Sequence, residues 1–218
     1  MSTDELLDVY SADGQPLGIA RPKRDVHARG DWHRTFHCWL VYRDATGRDH
    51  MLVQRRASRK DVYPDKLDVT AAGHLQAGEG IEGGLRELWE ELGIRATELN
   101  LHFIGQRTWI DDAEGIYHRE FQDVYLLIKD APLTAYTIDP VEVAGLADLL
   151  LDDLIDLFAG RRTQISGQML FAGTSEPEEY PVTVADFIPT PNPYVLKVCQ
   201  AARGLLAGET VQLIFPET

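Results

Sequence analysis

The chain has 218 residues, of which 44% are hydrophobic and 26% are charged, as in ordinary globular proteins with a substantial core. Asp and Glu (35) outnumber Lys and Arg (21), and the resulting net charge of −14 argues against binding to nucleic-acid polymers or to membrane surfaces. Cys38 and Cys199 provide neither a disulfide framework nor a zinc spacing. With an acidic start unlike a signal peptide and no bilayer-spanning apolar run, these features predict a cytoplasmic protein and leave its oligomeric state open.

Predicted strands and helices alternate along the chain. Runs of apolar and β-branched residues between turn residues predict strands over residues 6–10, 17–20, 36–42, 51–54, 67–71, 101–110 and 116–128. The strands over 101–110 and 116–128 are joined by a predicted loop over 111–115. Such an order fits an α/β/α sandwich around a mixed sheet.

The C-terminal part carries fewer signals. Asp139, Pro140 and Glu142 have the residue types of a helix N-terminus, which predicts a helix over residues 139–158. Residues 161–192 are predicted as a long loop with one strand, and residues 194–206 as a final helix. We expect residues 1–218 to form one domain, with the functional motifs in residues 15–160 and a C-terminal extension over 161–218.

The most informative segment crowds three carboxylates onto little more than one helical turn. Glu87 is the i,i+3 and i,i+4 neighbour of Glu90 and Glu91, so the three side chains repel one another near a helix C-terminus that also disfavours anions. A divalent cation would compensate this charge, and carboxylate oxygens are the ligands that Mg²⁺ or Mn²⁺ prefers. The helix also has one apolar stripe, formed by Ile81, Leu85, Leu88 and Leu92. Gly93 predicts its end.

This segment resembles the signature of the Nudix hydrolase superfamily, Gly-x5-Glu-x7-Arg-Glu-U-x-Glu-Glu-x-Gly-U, where U is aliphatic. Gly73-x5-Glu79 matches the first half, and residues 86–94 match the second half at every fixed position. Only six residues separate Glu79 from Arg86 instead of seven, which places the bracing role of Glu79 in question. The resemblance implies a Nudix-type α/β/α sandwich. It also implies metal binding by the Gly73 carbonyl and by Glu87, Glu90 and Glu91.

The resemblance extends over residues 15–130 to the branch that contains type I isopentenyl diphosphate isomerase. It is carried by His33-Arg-Thr-Phe-His-Cys-Trp-Leu-Val, by the basic run from Arg55 to Lys60, and by the segment from Leu67 to His74. The isomerase's metal ligands align with His27, His33, His74, Glu120 and, in place of a glutamate, His118. A second metal site at these residues is therefore implied. The isomerase's catalytic cysteine precedes the Gly-His pair, where this chain has Ala72.

Two further features suggest how a substrate is bound. Arg55, Arg56, Arg59 and Lys60 form the densest basic run of the chain, and guanidinium groups pair bidentately with phosphate oxygens. Arg56 and Lys60 align with isomerase residues that contact a diphosphate. Among the tryptophans, Trp39 and Trp89 are predicted core residues, and Trp109 is the candidate for stacking on a base.

The first hypothesis for function is a Mg²⁺-dependent hydrolase that cleaves phosphoanhydride bonds in small molecules, namely nucleoside di- or triphosphates or related nucleoside diphosphate derivatives. Bound metal would activate water, and either Glu87 or Glu120 would take its proton. An isopentenyl diphosphate isomerase is the second hypothesis, opposed by Ala72. A catalytically silent nucleotide-binding module is the third.

Overall fold

The computed structural model describes residues 5–113, 116–190 and 193–215, without the side chains of residues 112, 113 and 116. Its strands are β1 (Leu6–Tyr10), β2 (Pro16–Pro22), β3 (His33–Arg43), β4 (Asp49–Arg56), β5 (Leu67–Asp68), β6 (Ala71–His74), β7 (Leu101–Ala113), β8 (Ile116–Ile128), β9 (Val143–Leu150), β10 (Ile165–Phe171) and β11 (Glu178–Val182). Its α-helices are α1 (Lys23–Arg29), α2 (Ile81–Leu92), α3 (Leu151–Phe158) and α4 (Tyr194–Leu206).

Nine strands form one mixed sheet. The order is β11-β10-β9-β4-β3-β8-β7, with β5 beside β4 and β6 beside β3. The pairing of β3 with β8 is parallel, and the other pairings are antiparallel. Residues 40–43 of β3 pair with β4, whereas residues 35–38 pair with β6, so the sheet divides beside β3. β1 and β2 form a separate hairpin.

Helices cover both faces of the sheet. On one face, Leu88 and Leu92 of α2 pack against a core that includes Phe36 and Leu40 of β3. On the other face, α3 and α4 pack over a core that includes Trp39 of the same strand, because successive residues of a strand point to opposite faces. The predicted α/β/α sandwich around a mixed sheet is confirmed.

The predicted helix over residues 139–158 is wrong in its first half. Asp139 begins a turn, in which its Oδ1 accepts a hydrogen bond of 3.0 Å from the Val141 backbone N–H. β9 follows, and the helix starts only at Leu151. β9 lies between β4 and β10 with core on both faces, so its apolar run lacks the alternation of a half-buried strand.

Other boundaries also differ from the predictions. Residues 161–192 contain two strands, β10 and β11, which extend the sheet, and the predicted strand over 67–71 is divided into β5 and β6. Helix α1 had no sequence signal. Residues 111–113 of the predicted loop belong to β7, and residues 114–115 lie outside the described residues. Trp39 is buried as predicted, but Trp89 is 49% exposed and is not a core residue.

Among the described residues, none of the helices has the length and hydropathy needed to cross a bilayer.

Candidate functional site

A cavity of about 280 Å³ lies over the face of the sheet that carries Trp39, and it brings together most of the predicted site residues. The register of the strands explains this arrangement. One row across the sheet consists of His33, Glu120 and Trp109, on β3, β8 and β7. The next row along the strands consists of His74, Thr35, Gln122 and Arg107.

Two carboxylates of α2 reach the cavity where the sheet divides beside β3. Glu87 packs directly against the backbone of Gly73, where a Cβ atom would lie only 2.1 Å from Glu87 Cδ. Glu91 is 3% exposed, and its Oε2 lies 3.4 Å from the Ala72 backbone N–H and 3.5 Å from Gln54 Nε2. Both line the cavity. Glu90 is more exposed and is not among the lining residues.

Arg86 ties these carboxylates to the loop before the helix. It donates hydrogen bonds of 2.8 Å to Glu87 Oε1 and 2.9 Å to Glu90 Oε2. It also bonds to both oxygens of Glu79, and Glu79 Oε2 accepts a 2.8 Å bond from the Gln76 backbone. Glu79 therefore braces the loop despite the missing residue in the signature.

A glycine of α2 lets the helix pack closely against the sheet. A Cβ atom at Gly84 would lie 2.2 Å from the Phe36 ring, so the helix approaches β3 more closely there than any other residue would permit.

Burial disfavours the ionised form of Glu87 and Glu91, the two carboxylates of α2 that line the cavity. It raises the pKa of Glu87 to about 7, although the adjacent Arg86 lowers it. The pKa of Glu91 is raised to about 8, first by burial and then by the charge of Glu87. A bound cation would reverse both shifts by favouring the anions.

The metal-free protein is expected to lose stability as the pH rises from 6.5 to 8. An unfolded glutamate has lost its proton at those pH values, whereas folded Glu91 retains its proton up to about pH 8. The folded state therefore binds more protons, and its stability decreases by up to about 2 kcal/mol across this window. Thermal unfolding in EDTA at several pH values measures the effect.

The matched control is Glu91→Gln, measured in parallel. The stability of Glu91→Gln should decrease clearly less over the same pH range. Subtracting its curve from that of the wild type removes the contributions of other groups, such as His50, whose pKa is raised by its bond to Asp148. Below pH 6.5 the buried imidazoles described next have lowered pKa values and contribute the opposite slope, so the test is confined to the higher pH range. Parallel curves for the two proteins would contradict the expectation.

The predicted histidine residues form a cluster beside Glu120. The ligand atoms of His27, His33 and His74 all lie within 4.8 Å of one another. His118 Nδ1 is 3.1 Å from Glu120 Oε1, and the His118 and His27 rings are 4.9 Å apart. Helix α1, which positions His27, ends at Gly30 in the left-handed conformation, with φ of 66°.

The electrostatics of this cluster suit a metal site. Burial, followed by the charge of His33, lowers the pKa of His27 to about 4, and burial also lowers the pKa of His33 and His74. The imidazoles are therefore neutral, as metal ligands must be. Burial would raise the pKa of Glu120, but the hydrogen bond that it accepts from His118 lowers it, and that pKa lies well below the usual range. The buried Nε2 atoms of His33 and His118 have no hydrogen-bond partner among the described residues.

The predicted basic residues differ in their surroundings. Arg56 and Lys60 line the cavity, and both are already engaged. Arg56 donates to Asp68 Oδ2 at 3.1 Å and to two backbone carbonyl groups, while Lys60 pairs with Glu142. Arg55 is not among the lining residues, because it pairs with Asp65 and lies over the Phe171 ring. Trp109 lines the cavity with Arg107 over its ring at 4.6 Å.

Sequence reasoning missed several residues of the cavity. They are His37, Arg107, Gln122 and Tyr194. Alternation along the strands could have indicated Arg107 and Gln122, since each is two residues from a predicted site residue, Trp109 or Glu120. Nothing in the sequence links Tyr194 to the site, although it and Phe187 give the C-terminal extension a wall of the cavity.

Comparisons with known proteins agree with this architecture. The NUDIX domain family model matches residues 31–166, more than half of the chain. An uncharacterised Nudix hydrolase of Clostridium acetobutylicum is 36% identical over 154 residues, which cover 69% of this chain and 72% of that protein. Nudix hydrolase 3 of Arabidopsis thaliana is 32% identical over 65% of this chain, but only 19% of that protein is covered.

Other relatives are named as isomerases, in agreement with the second resemblance found in the sequence. An isopentenyl-diphosphate Delta-isomerase of Mycolicibacterium vanbaalenii is 34% identical over 56% of this chain and 66% of that protein. Among solved structures, a Deinococcus radiodurans protein has a TM-score of 0.52 at 24% identity, covering 72% of this chain and 90% of its own. This structural likeness shows the fold, and the family model with the Clostridium relative shows that the chain belongs to the Nudix hydrolase family.

Proposed function

We propose that this protein is a metal-dependent hydrolase that cleaves a phosphoanhydride bond in nucleoside di- or triphosphates or related nucleoside diphosphate derivatives. The observation that carries this proposal is that α2 brings two carboxylates, partly buried Glu87 and buried Glu91, to one cavity beside Gly73. Their anions, disfavoured by burial, would be stabilised there by a cation. They face the same cavity as Glu120 and the basic residues Arg56 and Lys60.

Divalent metal ions are the general cofactors of Nudix proteins, and the residues present fit them. The Gly73 carbonyl and Glu87, Glu90, Glu91 and Glu120 would hold Mg²⁺, or Mn²⁺ in its place, because these hard ions prefer oxygen ligands. Such an ion makes water nucleophilic at neutral pH and neutralises phosphoryl charge. His27, His33, His74 and His118 would provide a second site, since imidazole nitrogens suit a transition metal.

Glu87 is the better candidate for accepting a proton from the attacking water. Each oxygen of Glu120 already accepts hydrogen bonds, from Thr35 and Gln122 on one side and His118 on the other. Glu87 accepts a bond from Arg86 through Oε1. A general base of this kind contributes roughly 10²- to 10⁴-fold.

Substrate contacts are assigned to the remaining predicted residues. We assign Arg56 and Lys60 to the phosphoryl groups and Trp109 to stacking on a base of the substrate, since all three line the cavity. Arg55, paired outside the cavity, is a weaker candidate. We further propose that residues 1–218 act as one domain, since the C-terminal extension lines the site. A cytoplasmic location stays a prediction.

Lys60→Ala is expected to raise KM several-fold with little change in kcat. A cation that contacts a polyphosphate in both ground and transition states alters KM more than kcat. Steady-state kinetics measures both quantities. Arg24→Ala is the control, because Arg24 is 79% exposed and is not among the residues that line the cavity. Equal effects of the two changes would favour general electrostatics over a specific contact.

A silent nucleotide-binding module is the main alternative outside catalysis, and no feature of the described site favours it. A panel of nucleotides, dinucleotides and nucleotide sugars, incubated with millimolar Mg²⁺ or Mn²⁺, tests the proposal. We expect metal-dependent release of phosphate or a nucleotide from at least one compound. The absence of any metal-dependent product across the panel would overturn the assignment.

A further inference from the structure

Arg107 is a buried cation on the floor of the cavity. It is 3% exposed and lies on β7 opposite Gln122. Its guanidinium carbon lies 3.8 Å from the centroid of the Tyr194 ring and 4.6 Å from that of Trp109. Nε and Nη1 are buried and donate no hydrogen bond within the described part of the chain.

The other cations that line the cavity each have a carboxylate partner. Lys23 pairs with Glu5 at 3.1 Å, Arg56 with Asp68 at 3.1 Å, and Lys60 with Glu142. Arg107 alone among these lining cations has no carboxylate oxygen within 4.0 Å, as far as the described residues extend. Glu120 and Asp68 are close enough to act on it electrostatically without forming an ion pair.

A buried charge without a counter-ion is costly, and proteins rarely retain one without a function. Aromatic rings over a guanidinium offset part of the cost. They interact with its faces, however, and leave the N–H donors in its plane unpaired. Those donors form a rigid fork that matches two oxygens of a phosphoryl or carboxylate group.

The aromatic side of this arrangement is itself held in place. The Tyr194 hydroxyl accepts a 3.1 Å hydrogen bond from Trp39 Nε1 and lies 3.3 Å from His37 Nδ1. Burial lowers the pKa of His37 to about 4, so this imidazole is neutral and its Nδ1 can accept a hydrogen bond from the hydroxyl. Helix α4 thereby fixes the ring on which Arg107 rests, and the site is built before any ligand arrives.

We propose that Arg107 binds a phosphoryl group of the substrate through its free N–H donors, as a specificity-determining residue of the cavity. This assignment names a substrate contact for the proposed function, and it therefore rests on a phosphorylated substrate occupying the cavity. In register, the Arg107–Gln122 pair is two residue pairs along the sheet from the Trp109–Glu120 pair, and is therefore its neighbour on the same face. A phosphoryl group on Arg107 would therefore lie beside the predicted metal ligands.

Equilibrium binding of methylenediphosphonate, which cannot be hydrolysed, tests the proposal on the full chain with Mg²⁺ by isothermal titration calorimetry. Arg107→Met should raise Kd by roughly 10-fold or more, since charge-assisted hydrogen bonds are lost. Arg107→Lys should give a smaller increase, because the charge stays but the fork is lost. Arg95→Met is the matched control: Arg95 also lies 4.6 Å over a tryptophan ring, that of Trp89, but it does not line the cavity. Its Kd should be unchanged.

Thermal unfolding without ligand separates binding from a structural role. If Arg107 serves the ligand, Arg107→Met removes an uncompensated buried charge and the Tm is equal or higher. A lower Tm with an unchanged Kd assigns Arg107 to structure and overturns the proposal. Should Arg107→Met not fold, an unchanged Kd in Arg107→Lys would overturn it as well.

Two further results complete the test. Malonate is the carboxylate counterpart of the probe, and tighter Arg107-dependent binding of malonate than of methylenediphosphonate would reject a phosphoryl ligand. Arg107-dependent binding of methylenediphosphonate in a protein that hydrolyses nothing would support this inference while the proposed function fails. Hydrolysis by the wild-type protein together with an unchanged Kd in Arg107→Met would support the proposed function while this inference fails.

Discussion

Glu91→Gln is expected to lower turnover by roughly 10²-fold or more, because metal stabilisation of developing charge is lost. Glu91 is the most deeply buried carboxylate of α2, in a place where its anion is disfavoured unless a cation is bound. Glutamine retains an oxygen ligand but not the negative charge. Steady-state hydrolysis rates at saturating Mg²⁺ measure the effect.

The stability of this variant distinguishes loss of function from loss of fold. Since a neutral amide replaces a carboxyl group that burial already keeps protonated, the metal-free Tm should be equal or slightly higher. Glu90→Gln is expected to lower turnover as well, although Glu90 does not line the cavity, because Arg86 bonds to both Glu90 and Glu87 and the change disturbs this link. Glu82→Gln is the control on the same helix, since Glu82 bonds to the Gly80 backbone and does not line the cavity. Near-wild-type rates in both Glu90→Gln and Glu91→Gln would place the metal elsewhere.

The parts of the site that were predictable depend on local sequence. Glu87 and Glu91 share a face of one helix, and helical geometry alone brings them together. The histidine cluster draws on α1, β3, β6 and β8, and its recognition depended on resemblance to a family whose spacing is known.

The remaining parts depend on tertiary packing that no local pattern encodes. Arg107 and Tyr194 belong to a strand and a helix that are distant in sequence, and only the closure of α4 over the sheet places one against the other. The misassigned first half of the helix over 139–158 has a related cause. The apolar run of β9 is buried on both faces, so it lacks the alternation of apolar and polar residues that identifies a half-buried strand in a sequence.

No interconversion of isopentenyl and dimethylallyl diphosphate is expected, even with Mg²⁺ and a transition metal supplied. Carbon protonation needs a group that transfers a proton, and the side chain of Ala72 at the isomerase thiol position is a methyl group. Neither cysteine is a substitute, since both are fully buried and neither lines the cavity. Burial raises the pKa of Cys38 strongly and that of Cys199 to about 12, so neither is a thiolate near neutral pH.

Incubation in deuterated water, followed by mass spectrometry of recovered isopentenyl diphosphate, tests this expectation directly. Proton transfer at carbon would leave deuterium in the recovered compound even if the equilibrium hid net conversion. A characterised isomerase run in parallel shows that the assay detects exchange. The histidine cluster and the relatives that bear the isomerase name are the features that favour isomerisation. Deuterium incorporation by this protein would therefore mean that another group, among those lining the cavity, acts in place of the thiol, and the hydrolase assignment would be overturned.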